Sequence, residues 1–213
     1  MELKGKKINF LGDSITEGCG TSSPEYRFTD RIAAQTGAIC RNYGIGGTRI
    51  ARQQTPSAEP RWDLDYCTRA AQMDPDADII VVFGGTNDYG HGDAPFGDFE
   101  DRTPDTFCGA VHALINTLWE RYPQAEIVFI TPLHRLMEDE PTAENKPILL
   151  DYVNALRVIL EYYSIPTLDL FACGKMQPAV TCLKEAFMPD GLHPNDDGHV
   201  ILTRRIIQFL KNL

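Results

Sequence analysis

No two cysteines in this chain stand in C-x-x-C spacing, and no Cys/His grouping has the spacing of a zinc site. The six that occur (Cys19, Cys40, Cys67, Cys108, Cys173 and Cys182) are scattered. A domain of this size has no need of disulfides, so they read as reduced thiols packed as small hydrophobes. Long apolar runs are missing too. Ile8 to Leu11 is too short for a signal-peptide core, and no later stretch reaches the ~20 residues of a membrane span. The expected location is therefore cytoplasmic, with a removed leader as the alternative, and no integral membrane association is expected.

Positive charge is scarce. Twenty Lys and Arg face 30 Asp and Glu, for a net charge of -10 and a pI near 4.9. A nucleic acid or an anionic membrane surface as the main partner would favour a basic face, so neither is expected. The G-x-S-x-G elbow of the α/β-hydrolase family proper does not occur. An early D-x-H and a late G-H-x-H are also lacking, which leaves too few ligands for a two-metal phosphoesterase. No metal and no cofactor are expected. Repeats, low-complexity tracts and linkers are absent as well, and residues 1–213 read as one domain.

What is present is an alternation of strands and helices. Ile8-Asn9-Phe10-Leu11 is an apolar run that stops at Gly12-Asp13-Ser14. Ser22-Ser23-Pro24 opens a helix carried through Phe28, Ile32 and Ala33 to Gly37. Ala38 to Tyr43 is a second strand. Trp62 to Met73 has Leu64, Cys67 and Ala71 at helical spacing. Asp78 to Phe83 is an unbroken β-branched run, the mark of a strand buried on both faces. Tyr89 to Arg102 reads as a surface loop, and Thr103-Pro104-Asp105 as the start of a helix with Phe107, Val111, Leu114, Ile115 and Leu118 on its apolar stripe. Ile127 to Ile130 is a fourth strand, Leu149 to Tyr163 a helix, and Thr167 to Leu170 a short fifth strand. A long loop then leads to Asp190-Gly191-Leu192-His193-Pro194, and Asn195 caps the last helix. This pattern predicts a parallel sheet covered on both faces by helices.

Four polar clusters lie just past strand ends or at a helix entry: Asp13-Ser14, Gly46-Gly47, Asn87-Asp88, and Asp190 with His193. Parallel strands bring their carboxyl ends to one edge, so these clusters can converge. Taken singly each has an ordinary reading. A serine after a strand is commonly a cap, Asn87 and Asp190 commonly turn residues, and a glycine pair a plain turn. Together they supply a nucleophile, a base with an orienting carboxylate three residues away, and two oxyanion donors.

In chain order these residues resemble the SGNH hydrolases, the GDSL-type esterase and lipase superfamily. Gly12-Asp13-Ser14 matches the block that carries the nucleophile. Asn42-Tyr43-Gly44-Ile45-Gly46-Gly47 is similar to N-x-G-x-x-G, Gly85-Thr86-Asn87-Asp88 to G-x-N-D, and Asp190 to His193 to D-x-x-H. The resemblance covers residues 12 to 194. It implies a three-layer α/β/α, flavodoxin-like fold with about five parallel strands. It further implies a metal-independent ester hydrolysis, with Ser14, His193 and Asp190 catalytic and Ser14, Gly47 and Asn87 forming the oxyanion hole.

The substrate is less defined. Loops 89–102 and 131–146 are polar, which suits a short acyl ester of a polar or carbohydrate alcohol, with lysophospholipase or thioesterase activity as the alternative. Asp13, Tyr89, His91 and His134 are candidate substrate contacts. Arg49 is a further one, although pairing with a carboxylate is the favoured reading for it. Two readings of a different class, a metal-dependent phosphoesterase and a non-catalytic ligand-binding module, stay as rivals.

Overall fold

The computed structural model describes all residues 1–213. Five parallel strands form the sheet: β1 (Lys7–Gly12), β2 (Ile39–Gly44), β3 (Ile79–Phe83), β4 (Glu126–Ile130) and β5 (Thr167–Leu168), in the order β2-β1-β3-β4-β5. The central strands are apolar on both faces because both faces are covered. Ile8, Phe10, Val81, Phe83 and Val128 pack with helices α2 (Phe28–Thr36) and α9 (Asp196–Lys211). Leu11, Ile80, Val82, Ile127 and Phe129 point the other way. They pack with α3 (Tyr66–Ala70), α5 (Phe107–Arg121) and α6 (Leu149–Tyr162). The result is the expected three-layer α/β/α arrangement. No helix is long and apolar enough to cross a membrane.

The strand order reverses between β1 and β3. The chain leaves β1 toward one sheet edge and β3 toward the other, which opens a crevice beyond their carboxyl ends. Ser14 follows β1 as the first residue of a one-turn helix, α1 (Ser14–Glu17), and Asn87 follows β3 in another, α4 (Thr86–Gly90). The topology therefore brings two of the four clusters together before any loop is considered.

Several element boundaries differ from the periodicity. The span from Trp62 to Met73 is not one helix. Pro60–Asp63 forms a 3-10 turn, and Asp65 starts α3 afresh by accepting from the Thr68 N–H at 2.8 Å. The helix expected from Thr103 begins at Phe107, because Thr106 caps it by accepting from the Gly109 N–H at 3.1 Å. Loop 89–102 begins inside α4, and Tyr89 is buried. The expected fifth strand keeps only two residues, since Asp169 caps a short helix, α7 (Leu170–Cys173). A further helix, α8 (Thr181–Phe187), interrupts the stretch taken as a long loop.

Candidate active site

The Asp13 carboxylate accepts from the Ile15 N–H at 2.9 Å, which closes the turn of α1 and leaves Ser14 at its start. From the other end of the chain, His193 brings its Nε2 to 2.9 Å from Ser14 Oγ. Its Nδ1 lies 2.7 Å from Asp190 Oδ2. The second oxygen, Asp190 Oδ1, accepts from the Leu192 and His193 N–H groups at 2.8 and 2.7 Å. Burial opposes a charge on Asp190, but those two N–H groups and the imidazole prevail and hold its pKa below the ordinary carboxylate range. An ionised Asp190 fixes the proton of His193 on Nδ1, so Nε2 is the acceptor facing the serine hydroxyl.

Gly47 stands on the loop after β2, and Asn87 in α4 after β3. Gly47 adopts φ +78°, and a Cβ there would overlap the Trp62 ring, so both backbone and space call for glycine. Asn87 donates its amide nitrogen to the Thr48 carbonyl at 3.0 Å. Because that carbonyl can only accept, the contact fixes which way the amide points. The N–H groups of Ser14 and Gly47 are not drawn into bonds with other groups of the chain. Ser14, Gly47, Asn87 and His193 line one cavity of about 430 Å3, whose walls include Glu17, Trp62, His91 and Arg135.

Buried charge holds the donor loop from behind. The Asp88 carboxylate accepts from Ile50 and Ala51 N–H at 3.0 and 2.9 Å. Arg69 donates to Thr48 Oγ1 at 2.8 Å, to the Gly12 carbonyl at 3.0 Å and to the Tyr43 carbonyl. Burial raises both Asp13 and Asp88 to about 6. At the cavity rim Glu17 accepts from Gly46 N–H and from the Arg61 guanidinium, both at 2.6 Å.

Among the candidate substrate contacts, only His91 faces the cavity, with its ring 5.2 Å from that of Trp62. Desolvation against its neighbours lowers its pKa to about 4, assisted by the Arg49, Arg135 and Lys146 cations. The structure keeps the others off the wall. Asp13 is buried as the α1 cap. Arg49 is buried and donates to Ser57 Oγ and the Trp62 carbonyl, both at 3.0 Å, and to Asp63 at 3.3 Å, in keeping with carboxylate pairing. Tyr89 packs its ring near Tyr152 and donates its hydroxyl to the Met137 and Glu140 carbonyls. His134 pairs with Glu138 at 2.7 Å and lies against Phe171.

Residues that the sequence did not single out complete the site. Trp62 and Arg69 lay within a stretch read as one amphipathic helix, where an aromatic or an arginine carries no positional signal. Leu192 lies inside the Asp190–His193 block, and Glu17 and Cys19 follow Ser14 within five residues, which is the one cue they offered.

A serine, an imidazole and a carboxylate in hydrogen-bond sequence at the topological switch point of a doubly wound sheet have the geometry that hydrolases of α/β proteins use. Comparison with known proteins narrows this. The model of the GDSL-like Lipase/Acylhydrolase family matches residues 10–201, and the chain belongs to that family of ester hydrolases. A protein of Lactobacillus plantarum is similar over 98% of both chains, at 30% identity and a TM-score of 0.83. A GDSL-like lipase candidate from Bacteroides ovatus shares the fold at 20% identity and a TM-score of 0.71, over 99% of this chain and 100% of its own. The salicylyl-acyltransferase SsfX3 of a tetracycline biosynthetic pathway shares it at 21% and 0.68, over 98% of this chain and 55% of its own. No curated protein matches the sequence.

Proposed function

We propose that the protein is a serine-dependent carboxylic ester hydrolase that works through an acyl-enzyme on short acyl esters of a polar or carbohydrate alcohol. The observation that carries this reading is the relay from Ser14 Oγ through His193 to Asp190, at 2.9 and 2.7 Å. Both lengths lie within the reach needed for proton transfer. Ser14 Oγ attacks the ester carbonyl carbon as its proton passes to His193 Nε2. The carbonyl electron pair moves onto oxygen, where the Ser14 and Gly47 N–H groups and the Asn87 amide receive it. Collapse expels the alcohol, which takes the proton back from His193. Water, deprotonated by the same imidazole, then releases the acid. Asp190, kept ionised, stabilises the imidazolium that forms twice in each cycle.

The reading of the substrate rests on the cavity walls. Glu17, Arg61, His91 and Arg135 offer polar contacts, and Trp62 presents a partly exposed ring on which a sugar face can stack. The test is a hydrolysis screen over p-nitrophenyl esters from acetyl to decanoyl and over acetylated sugars, with Ser14→Ala as control. Turnover should be highest for acetyl and propionyl esters and vanish in Ser14→Ala, which should keep its thermal unfolding transition. Turnover like that of the wild type in a folded Ser14→Ala would sink the mechanism. Rates rising toward decanoyl would sink the short-acyl reading alone.

A further inference from the structure

A guanidinium without a carboxylate partner stands in this cavity. Arg135 lies on the loop after β4, and its Nη1 donates to the Thr86 carbonyl at 3.1 Å and to Thr86 Oγ1 at 3.2 Å. Its central carbon sits 5.4 Å over the Tyr89 ring. One edge and one face are thereby held. Nη2 donates to no other group of the chain, and Nε is buried without a partner. The other arginines of this region differ. Arg49, whose Nε is also buried without a partner, pairs with Asp63, Arg61 pairs with Glu17, and Arg69 is satisfied by two carbonyls and a hydroxyl.

The obvious counter-charge is turned away. Glu138 directs its carboxylate to the backbone N–H of Arg135 at 2.8 Å, to His134 at 2.7 Å and to Gln177 at 3.3 Å, and makes no hydrogen bond to the guanidinium. Gly90 lets the guanidinium pack closely against its backbone. A Cβ on Gly90 would stand 2.7 Å from Arg135 Nη1, and Gly90 lines the same cavity as Ser14, Asn87 and His193. Burial disfavours this charge, and the nearby Asp13, Glu138 and Asp190 carboxylates offset it only through space, without a hydrogen bond to the guanidinium. The uncommitted Nη2 donors, on a guanidinium that lines the cavity of Ser14 and His193, match a carboxylate-type anion.

We infer that Arg135 recognises an anionic, carboxylate-type group on the ester substrate, so that the enzyme prefers acidic esters to neutral ones of the same shape. This rests on the ester-hydrolase reading above and deepens it. The anion can belong to the acyl part or to the alcohol part, and two substrate pairs separate these sources. Mono-p-nitrophenyl succinate against p-nitrophenyl butyrate places the charge on the acyl side. The anion of 4-acetoxybenzoic acid against 4-acetoxybenzamide places it on the alcohol side.

Wild-type kcat/KM should favour the anionic member of at least one pair by about 10- to 100-fold, the range for a hydrogen bond to a charged group. In Arg135→Gln that ratio should collapse toward one, and Arg135→Lys should restore part of it. Wild-type ratios near one in both pairs overturn the inference, as does a ratio unchanged in Arg135→Gln. Should Arg135→Gln fail to fold, wild-type hydrolysis of p-nitrophenyl butyrate is measured with added benzoate or succinate. Competitive inhibition by the anion and not by the matching amide supports the role, and no inhibition by either overturns it. Neutral-ester turnover that depends on Ser14, without any preference for anions, removes this inference and leaves the reaction standing. Turnover independent of Ser14 removes the reaction itself.

Discussion

The Arg69 guanidinium donates to the carbonyl oxygen of Gly12 at 3.0 Å, at the end of the strand that delivers Ser14. The same group holds Tyr43 and Thr48, so one buried cation fastens the nucleophile's strand to the loop that carries Gly47. Arg69→Met should destabilise the protein by about 2–4 kcal/mol, because it strands buried acceptors at about 1–3 kcal/mol each. If the clasp also sets the spacing of the oxyanion donors, kcat should fall at least tenfold with KM nearly unchanged. Denaturant titration and steady-state kinetics on p-nitrophenyl acetate check both, and an unchanged kcat refutes the positioning role.

Asn87 lines the cavity beside Ser14, where the proposed mechanism makes it an oxyanion donor, and it anchors Thr48. Asn87→Ala should lower kcat by roughly 10²–10³, the loss expected for one oxyanion donor. Asn87→Asp keeps the size but brings negative charge to the site where the proposed mechanism develops it, so it should be at least as poor. Turnover in Asn87→Asp equal to that of the wild type contradicts the assignment.

His199 is fully buried and accepts the Phe28 N–H on Nδ1 at 3.0 Å. Desolvation, helped by the Arg31 and Arg27 cations, lowers its pKa from 6.5 to about 4. Between those values the unfolded chain holds the proton and the folded chain does not. The stability contributed by neutral His199 is therefore complete above about pH 6.5 and is lost as pH falls toward 4. Asp13 and Asp88, raised to about 6, act in the opposite sense over much of this window, so the test is differential. Relative to the wild type, His199→Gln should lose about 1–2 kcal/mol less between pH 7 and pH 5, at 1.4 kcal/mol per pKa unit. Urea midpoints at the two pH values measure this, and parallel losses would contradict it.

Strands and motif blocks were legible because their signals are local. An unbroken β-branched run needs no partner to be recognised, and three of the four blocks follow a strand, the fourth opening the last helix. The Ser14–His193 contact joins positions 179 residues apart, and what made it readable was the rule that parallel strands share one working edge. Side-chain direction was not legible in the same way. Tyr89 and Asp13 stand next to motif residues, yet a one-turn helix after a strand turns Tyr89 into the core and makes Asp13 a cap. Arg69 and Arg135 owe their roles to what lies opposite them in space, and periodicity holds no record of that.

The turn bearing Asp190 and His193 is tied to itself, with Asp190 accepting two of its own N–H groups and Gly191 donating to Met188 at 2.8 Å. The serine turn is equally closed on Asp13. These are two stiff pieces from opposite ends of the chain, and their fastening lies outside the cavity. Asp196 accepts from Ser22 N–H at 2.9 Å and from its hydroxyl at 2.6 Å. Nearby, Gly20 lies so close to the Pro194 carbonyl that a Cβ would come within 2.5 Å of its oxygen. A surface latch between the segments that follow Ser14 and His193 thus ties the serine turn to the imidazole turn.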